Sequence, residues 1–294
     1  MRVGYPCINR SVGCTANSTF RLASYSEERL FSSLRNNLSC LSRILHYNVE
    51  NGILFFRISS DLVPFASHPI CKSDWASKFR KDFREIGSFI KKNRMRISMH
   101  PDQFVLINAL DGGIVQRSIS ELDYHAKVLD AMGLDSSAKI QIHVGGAYGD
   151  KKAAIERFVE RYKKLPSRIK KRLVVENGGR LFSLRDCLSI HRKTRIPVLF
   201  DSFHHSLLNN GEGVREALLL AKKTWKRKDG PLMVDYSSQK AGARPGTHTT
   251  HIDAKDFLRF LKSAHGIGMD IMLEIKDKEK SALEALETLR SFSA

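Results

Sequence analysis

The sequence predicts a fold of the α/β class, a single (β/α)8 TIM barrel that spans residues 1–294. Short apolar runs alternate with helical patterns along the chain, and strict alternation of this kind indicates a parallel sheet covered by helices. Six of the apolar runs end in His, Asp or Glu, which is unusual for buried strands. A barrel explains this pattern, because the carboxyl ends of all its strands open onto one face.

Eight short apolar runs predict strands near residues 2–5, 53–59, 96–100, 139–144, 173–176, 197–201, 232–236 and 270–275. The first helix is expected to begin at the capping-box pattern Ser24–Glu27 and to carry one apolar face of Leu30, Leu34, Leu38, Leu41 and Leu45. The second follows Trp75, with an apolar stripe of Phe79, Phe83, Ile86 and Ile90. The other six helices are expected near residues 114–132, 151–165, 183–192, 212–224, 253–264 and 279–291.

A doubly wound open sheet is the competing architecture for alternating strands and helices. Such a sheet gathers its ligand-binding residues at one crevice between strands. Here the candidate residues come from nearly every strand, and no Pro- or Gly-rich linker divides the chain. The barrel is therefore favoured over the open sheet.

Composition indicates a soluble globular protein, since 42% of the residues are hydrophobic and 27% are charged. No run approaches the roughly 18 apolar residues of a membrane span. Met1-Arg2 leads directly into a strand-like run, which leaves no room for a secretory signal, so we expect a cytoplasmic location. The five cysteines are odd in number and lack CxxC spacing, and we expect free thiols.

The formal net charge of +18, from 49 Lys and Arg against 31 Asp and Glu, favours a polyanionic partner such as nucleic acid. Solvated lysine faces are the alternative. The basic runs 161–172 and 222–228 precede strands, and so belong to the end of the barrel away from the site; we expect them to be solvated only. Positive charge near the site is expected from the loops that follow strands, at Arg10, Arg21, Lys72, Lys151, Arg180, Lys240, Arg244, Lys276 and Lys278.

The strand ends supply a set of residue types that bind metal ions: His100, His143, Glu176, Asp201 with the nearby His204, Asp235 and Glu274, joined from loops by His68 and His248. A single histidine is more often structural, but a set of this size at strand ends indicates metal binding. Imidazole with carboxylate suits Zn, Mn or Fe, and carboxylate-rich sites favour Mn or Mg. The set exceeds the needs of one ion, so we expect two or three, an arrangement typical of phosphate hydrolysis.

Seven motifs carry a resemblance to a known family: Gly4-Tyr5-Pro6-Cys7 with Asn9, Pro64-Phe65-Ala66-Ser67-His68-Pro69, Ser98-Met99-His100-Pro101-x-Gln103, His143-Val144-Gly145-Gly146-Ala147-Tyr148-Gly149, Glu176-Asn177, Asp201-x-x-His204-His205, and Arg244-Pro245-Gly246-x-His248. In their order, from residue 3 to about residue 278, they resemble the ultraviolet-damage endonucleases.

The resemblance implies a barrel of the endonuclease IV and xylose isomerase type. It implies DNA repair by cutting the backbone immediately 5′ to cyclobutane pyrimidine dimers and (6-4) photoproducts, which leaves a 3′-hydroxyl and a 5′-phosphate. It also implies up to three divalent ions, Mn²⁺ in the best-known members, with Zn²⁺, Mg²⁺ or Co²⁺ possible. The partner would be damaged double-stranded DNA, with no membrane, and one barrel per duplex implies a monomer.

Carried over by motif, His100 and His143 would hold one ion, and Glu176 would bridge to a second. Asp201 and Glu274 would complete the second site, with Asp235 as a further oxygen ligand, while His204 and His248 would hold the third ion. His205 is expected beside the site and not as a ligand.

The resemblance also implies residues that contact DNA. His68 and Tyr5 would lie near the scissile phosphate. Gln103 and Phe104 would probe the duplex opposite the lesion, with Asn9, Tyr148 and Arg244 as further contacts. Alternatives remain for three of them, since Phe104 could belong to the core, Tyr5 could pack at the barrel mouth, and Asn9 could cap a turn.

Two positions depart from the family pattern. Met233-Val234-Asp235 stands where relatives commonly carry Lys-x-His, and Phe104 stands where a tyrosine is common. Asp235 can still bind a metal through oxygen, whereas Met233 cannot replace the lysine. Stacking by Phe104 is retained without the hydroxyl.

Three functions follow from these observations. A metal-dependent endonuclease for UV damage is the leading hypothesis. An abasic-site endonuclease of the same superfamily is the first alternative, and a catalytically weak damaged-DNA-binding barrel, suggested by Met233, is the second. A sugar isomerase would also use a two-metal barrel, but its substrate would not explain the charge of +18 or the Gln103-Phe104 pair.

Overall fold

The computed structural model describes residues 1–293, in which eight parallel strands close into one barrel. The strands are β1 Val3–Pro6, β2 Phe55–Ile58, β3 Arg96–Met99, β4 Lys139–His143, β5 Leu173–Glu176, β6 Val198–Asp201, β7 Leu232–Tyr236 and β8 Met269–Leu273. Each strand pairs with the next, and β8 closes onto β1 with Val3 opposite Ile271 and Gly4 opposite Met272. The predicted barrel is confirmed, with all eight strands.

The helices are α1 Glu27–Glu50, α2 Trp75–Lys78, α3 Arg80–Lys92, α4 Gly112–Ala131, α5 Lys151–Lys164, α6 Ser167–Lys170, α7 Leu184–Thr194, α8 Ser202–Leu207, α9 Val214–Lys222, α10 Ala254–Ser263 and α11 Glu279–Ser293. All eight predicted helices are present. The short helices α2, α6 and α8 were not predicted. The last of these matters for the site, because it follows β6 directly.

The start of α1 corrects the predicted capping box. Ser24 ends a 3-10 turn, and Tyr25 and Ser26 have extended backbones. The helix therefore begins at Glu27, with the Ser26 hydroxyl accepting a hydrogen bond from the Arg29 amide at 3.2 Å. The leucine face is confirmed, since all five predicted leucines are buried.

Two layers of inward-facing side chains lie at the strand ends and just below them. The lower one is apolar and consists of Phe55, Val174, Leu199, Met233 and Met272. Side chains alternate between the two faces of a strand, so the residue two positions further on also points inward. Those residues form a polar layer of Arg57, Glu176, Asp201, Asp235 and Glu274. Met233 is therefore part of the apolar floor beneath the site.

A disulfide corrects the expectation of five free thiols. Cys14 and Cys40 are joined, with their Cα atoms 6.0 Å apart, so the loop after β1 is tied to α1. Nothing in the sequence pointed to this pair, because 26 residues separate the two cysteines and only the packing of α1 brings them together. Within residues 1–293, Cys7, Cys71 and Cys187 are free thiols.

The basic runs before β5 and β7 differ from each other. Lysines and arginines of residues 222–228 are exposed, as expected. In the run 161–172, however, Arg172 is buried and donates to Asp130 at 2.5 Å, while Arg161 donates to the carbonyl of Ile107 at 2.9 Å. These two arginines tie α-helical segments to loops and are not merely solvated. Across the described chain, no helix combines the length and the apolar character needed to cross a membrane.

Candidate metal centre

Ligand atoms from six strand ends meet in three groups at the carboxyl end of the barrel. In each group the ligand atoms lie within 4.8 Å of one another. The first group is formed by His100, His143 and Glu176, the second by Glu176, Asp201 and His204, and the third by Asp201, Asp235 and Glu274. Glu176 and Asp201 each belong to two groups, so the three groups form one continuous cluster. Seven of the eight ligands predicted from the sequence are thus brought together.

The first group has the features of a histidine-rich metal site. His100 Nε2 and His143 Nε2 lie 3.7 and 3.9 Å from Oε2 of Glu176. Burial, together with the positive charge of Arg57, lowers the pKa of His100 to about 4. The ring is therefore neutral at physiological pH, which is the form that binds a metal ion.

The second group is held by the turn from β6 into α8. Asp201 caps α8, accepting a hydrogen bond from the His204 amide at 2.6 Å, and this cap brings the two side chains together. His204 Nδ1 lies 3.2 Å from both Glu176 Oε1 and Asp201 Oδ2. Burial opposes protonation of the ring, but the two carboxylates outweigh it and raise the pKa of His204 to about 10.

The third group consists of carboxylates that face a buried arginine. Arg57 donates to Asp235 Oδ2 at 2.7 Å and to Glu274 Oε1 at 2.5 Å. Burial raises the pKa of Asp235 to about 8, although Arg57 opposes the shift. Burial acts in the same direction on Glu274, but there the charge of Arg57 prevails and lowers the pKa to about 2.

The donor set fits divalent cations. Asp235 Oδ1 is buried and has no hydrogen-bond partner within the described chain, which is costly unless a cation takes that place. Two imidazoles with a carboxylate suit Zn or Mn, whereas a carboxylate group suits Mn or Mg. The arrangement can therefore hold more than one ion, with a softer position beside β3 and β4 and a harder one beside β7 and β8.

His248 lies beside the cluster and outside its three groups, as far as residues 1–293 show. Its Nδ1 donates to the carbonyl oxygen of Glu274 at 2.8 Å, so Nε2 remains available. Its ring centre is 6.5 Å from that of His204. The third ion between these two histidines therefore stays a prediction. His205 is buried and bonds the carbonyl of Glu212 through Nε2 at 3.0 Å, away from the three groups.

Two open cavities adjoin the cluster. One of about 480 Å³ contains His100, Glu176 and Glu274 in its wall, with Lys276 and Lys278 at the rim. The other, of about 330 Å³, lies between His143 and His204 and the apolar side chains of Leu181, Phe182 and Leu207. Gln103 borders both cavities, and its neighbour Phe104 is 54% exposed. Phe104 is thus not a core residue.

Tyr5 and Asn9 lie inside the fold. The Tyr5 hydroxyl donates to Asn48 at 2.5 Å and accepts from Asn9 at 2.7 Å. Asn9 Oδ1 accepts from the amides of Ser11 and Val12 at 2.8 and 3.0 Å. Both side chains are almost fully buried, so the structure favours the packing and turn-capping alternatives for them, and it does not bring them to the cavity surface.

His68, Tyr148 and Arg244 are exposed on loops at the carboxyl end. His68 Nδ1 accepts from the amide of Ile70 at 3.1 Å. The Arg157 guanidinium lies 5.5 Å from the centre of the Tyr148 ring. These three side chains are accessible to a large bound molecule. They do not belong to the groups of candidate metal ligands that residues 1–293 form.

Glycine is required in the loop after β4. Gly145 has a φ of 111°, and a Cβ there would lie 2.1 Å from Oδ1 of Asn108. Asn108 in turn donates to the carbonyl of Gly146 at 2.8 Å. A side chain at Gly145 would therefore displace the loop that follows His143.

Arg57 and Gln141 also contact the cluster, although neither was predicted from the sequence. Gln141 Nε2 donates to Glu176 Oε2 at 2.9 Å and to Asp235 Oδ2 at 2.8 Å. A signal was present, since each is a polar residue inside an otherwise apolar strand, in Phe55-Phe56-Arg57-Ile58 and Ile140-Gln141-Ile142. A long polar side chain in such a strand has to face the barrel interior, where the ligands are.

Known proteins resemble this chain over its whole length. The family model described as UV-endonuclease UvdE matches residues 1–294. The UV DNA damage endonuclease of Clostridium perfringens (strain 13 / Type A) is 38% identical over 295 residues, which cover 100% of this chain and 72% of that protein. That of Bacillus thuringiensis subsp. konkukian (strain 97-27) is 38% identical over 302 residues, covering 99% of this chain and 95% of the relative.

Solved structures agree with these sequence relatives. The crystal structure of SacUVDE is 49% identical, with a TM-score of 0.96, and covers 100% of this chain and 99% of that one. Endonuclease IV from Thermus thermophilus, at 14% identity and a TM-score of 0.58 over 100% of this chain and 99% of that one, shares the fold alone. The motif resemblance and the whole-chain similarity therefore agree.

Proposed function

Because this chain belongs to the UV-endonuclease UvdE family and is a DNA-repair nuclease for UV damage, we propose that it hydrolyses the backbone of double-stranded DNA immediately 5′ to a photoproduct. The products are a 3′-hydroxyl and a 5′-phosphate, and the lesions are cyclobutane pyrimidine dimers and (6-4) photoproducts. The observation that carries this proposal is the continuous cluster of ligand groups sharing Glu176 and Asp201 at the mouth of an open cavity. Residues 1–294 act as one domain and as a monomer.

The residues of the cluster hold the divalent ions. His100, His143 and Glu176 would hold the first ion. Glu176 would bridge to the second, which Asp201, Asp235 and Glu274 would also hold, and the third would lie by His204 and His248. Divalent ions in such a site activate water and neutralise phosphate oxygens. Mn²⁺ suits the mixed donor set, and Zn²⁺, Mg²⁺ or Co²⁺ are the alternatives.

Two lysines and one histidine orient the DNA backbone. Lys276 and Lys278 stand at the rim of the cavity that contains the cluster, where ammonium groups attract the phosphates on either side of the cut. His68, on the exposed loop after β2, approaches the scissile phosphate from outside. Tyr5 acts on the same region only indirectly, through the turn that Asn9 holds.

Gln103 and Phe104 recognise the lesion. They lie on the loop after β3, where Gln103 borders both cavities and the neighbouring Phe104 ring is exposed. An exposed ring can enter a duplex whose stacking the lesion has weakened. An aromatic ring that stacks on the remaining bases compensates for the stacking that flipped nucleotides give up. The cavity beside Leu181 and Phe182 receives the displaced nucleotides, while Tyr148 and Arg244 contact the backbone from neighbouring loops.

The test is nicking of UV-irradiated supercoiled plasmid by the protein with Mn²⁺. We expect nicking by the wild type and by Glu160→Ala, whose carboxylate is exposed on α5, and no nicking by Glu176→Ala. The wild type should not nick undamaged plasmid, and excess chelator should abolish its nicking of irradiated plasmid. Equal nicking by Glu176→Ala and the wild type would refute the metal assignment.

A further inference from the structure

Arg57 is a buried cation beneath the ligand groups. It lies in the middle of β2, only 3% of its side chain is exposed, and its two terminal nitrogens bond one oxygen of Asp235 and one oxygen of Glu274. A guanidinium presents its donors in a rigid planar fork, so two bonds of this kind fix the direction of both acceptors. Arg57 therefore fixes the orientation of the Asp235 and Glu274 carboxylates relative to each other.

Gln141 continues this arrangement on the other side of Asp235. Its amide nitrogen donates to Oε2 of Glu176 and to Oδ2 of Asp235. Asp235 Oδ2 thus accepts from two donors, Arg57 and Gln141, while its Oδ1 is buried with no partner in residues 1–293. One oxygen of Asp235 is held by two donors, and the other accepts from neither of them and can serve as the ligand atom that Asp235 contributes to its group.

We propose that Arg57 and Gln141 are positioning residues for the metal centre: Arg57 orients the carboxylates of Asp235 and Glu274, and Gln141 orients those of Asp235 and Glu176, toward their ligand groups. This inference rests on the proposed metal centre. It assigns a function to two residues that touch no ion and no DNA themselves.

Positioning and plain electrostatics predict opposite effects of Arg57 on metal affinity. A positive charge a few ångströms away repels a divalent ion, so charge alone predicts tighter binding once Arg57 is removed. Loss of a group that orients metal ligands weakens binding by about 10- to 100-fold. The sign of the change therefore separates the two effects. Gln141 carries no charge, so its removal tests orientation alone.

The experiment is calorimetric titration of the chelator-treated full-length protein with Mn²⁺, for wild type, Arg57→Met, Arg57→Lys and Gln141→Met. We expect one class of sites to weaken by about 10- to 100-fold in Arg57→Met, and to weaken in Gln141→Met as well. The affinity of the His100–His143 position should persist in Arg57→Met, and Arg57→Lys should recover part of the loss. In Gln141→Met that position should weaken too, because Gln141 also donates to Glu176. Thermal melting in chelator shows whether each variant is folded.

Unchanged or tighter binding in both methionine variants would overturn the proposal, as would an equal loss at every site in Arg57→Met. If Arg57→Met does not fold, Gln141→Met decides the question alone. If the wild type bound no Mn²⁺, the metal centre itself would be overturned. That result differs from the one that overturns this proposal alone, in which the wild type binds Mn²⁺ and the variants bind it equally well.

Discussion

Oε1 of Glu176 lies 3.2 Å from Nδ1 of His204. The other oxygen of the same carboxylate, Oε2, lies 3.7 Å from Nε2 of His100. One side chain at the end of β5 therefore faces two ligand groups, which is the arrangement expected of a carboxylate that bridges two ions.

Sharing of Glu176 predicts unequal metal losses. Glu176→Gln should weaken two ions, because it removes a charged ligand from two groups, whereas His143→Gln should weaken only one, since His143 belongs to a single group. The measurement is Mn²⁺ bound per chain after equilibrium dialysis at a fixed free concentration. Identical losses from the two variants would show that Glu176 is not shared.

Phe104 should contribute to binding of damaged DNA by stacking. Phe104→Ala is expected to weaken binding to a duplex with one dimer by about 1–3 kcal/mol, and Phe104→Tyr should bind as the wild type does. Leu110→Ala is the matched control, because Leu110 is another exposed apolar side chain, 61% exposed, and lies at the far end of the same loop, just before α4 begins at Gly112. Fluorescence anisotropy with chelated metal measures the affinities. An unchanged Kd for Phe104→Ala would show that the Phe104 ring does not contribute to binding by stacking.

The position of the lysines in the barrel predicts their contribution to DNA binding. Lys276→Gln with Lys278→Gln should reduce the slope of log Kd against log salt concentration by up to about 2, since each phosphate contact contributes about 0.9. Lys222→Gln with Lys223→Gln removes the same charge from the opposite end of the barrel, before β7, and should leave the slope unchanged. If the two double variants reduced the slope equally, the contribution of a lysine to DNA binding would not depend on its position in the barrel.

His125 should make stability depend on pH. It is fully buried in α4 and donates from Nδ1 to the carbonyl of Glu121 at 2.8 Å. Burial lowers the pKa of His125 to about 4, below the 6.5 of the unfolded chain. The folded state thus binds fewer protons than the unfolded state in this range. The stability that this difference provides is complete above pH 6.5 and is lost as the pH falls toward 4.

Because of His125, the free energy of unfolding of the wild type should fall by about 2 kcal/mol as the pH is lowered from 7.5 to 5. In urea unfolding at the two pH values, the decrease in the free energy of unfolding should be smaller by that amount in His125→Gln than in the wild type. His46→Gln, which replaces an exposed histidine on α1, should behave as the wild type. Glu121 acts in the opposite direction, because burial raises its pKa to about 6; Glu121→Gln should therefore increase the loss. The same pH dependence in wild type and His125→Gln would contradict the assignment.

The barrel and most of the cluster could be predicted because both depend on short-range patterns. Alternation of apolar runs with helical stripes determines the fold class, and a ligand such as His143 or Glu176 stands at a strand end, which the sequence displays directly. The roles of Tyr5 and Asn9 could not be settled in this way, since they depend on Asn48 of α1, a partner 43 residues from Tyr5.

Two features required the three-dimensional structure for a different reason. Arg57 is recognisable as an anomaly in an apolar strand, but its partners Asp235 and Glu274 lie 178 and 217 residues away, and only barrel closure brings them together. Met233 looked like the loss of a polar residue at the site, whereas it belongs to the apolar floor. Asp235, two residues further along this strand, is the one of the two that belongs to a ligand group.

The most direct test of the account is to map the cut on an end-labelled duplex with one defined cyclobutane dimer, beside a matched duplex with one abasic site and an undamaged one, with Mn²⁺ present. The account predicts a single nick immediately 5′ to the dimer, with a 3′-hydroxyl that a polymerase extends without further processing, and faster cutting there than at the abasic site. Preferential cutting of the abasic duplex would contradict this expectation. Binding of the dimer duplex without a nick in the presence of Mn²⁺, Zn²⁺, Mg²⁺ or Co²⁺ would contradict it as well.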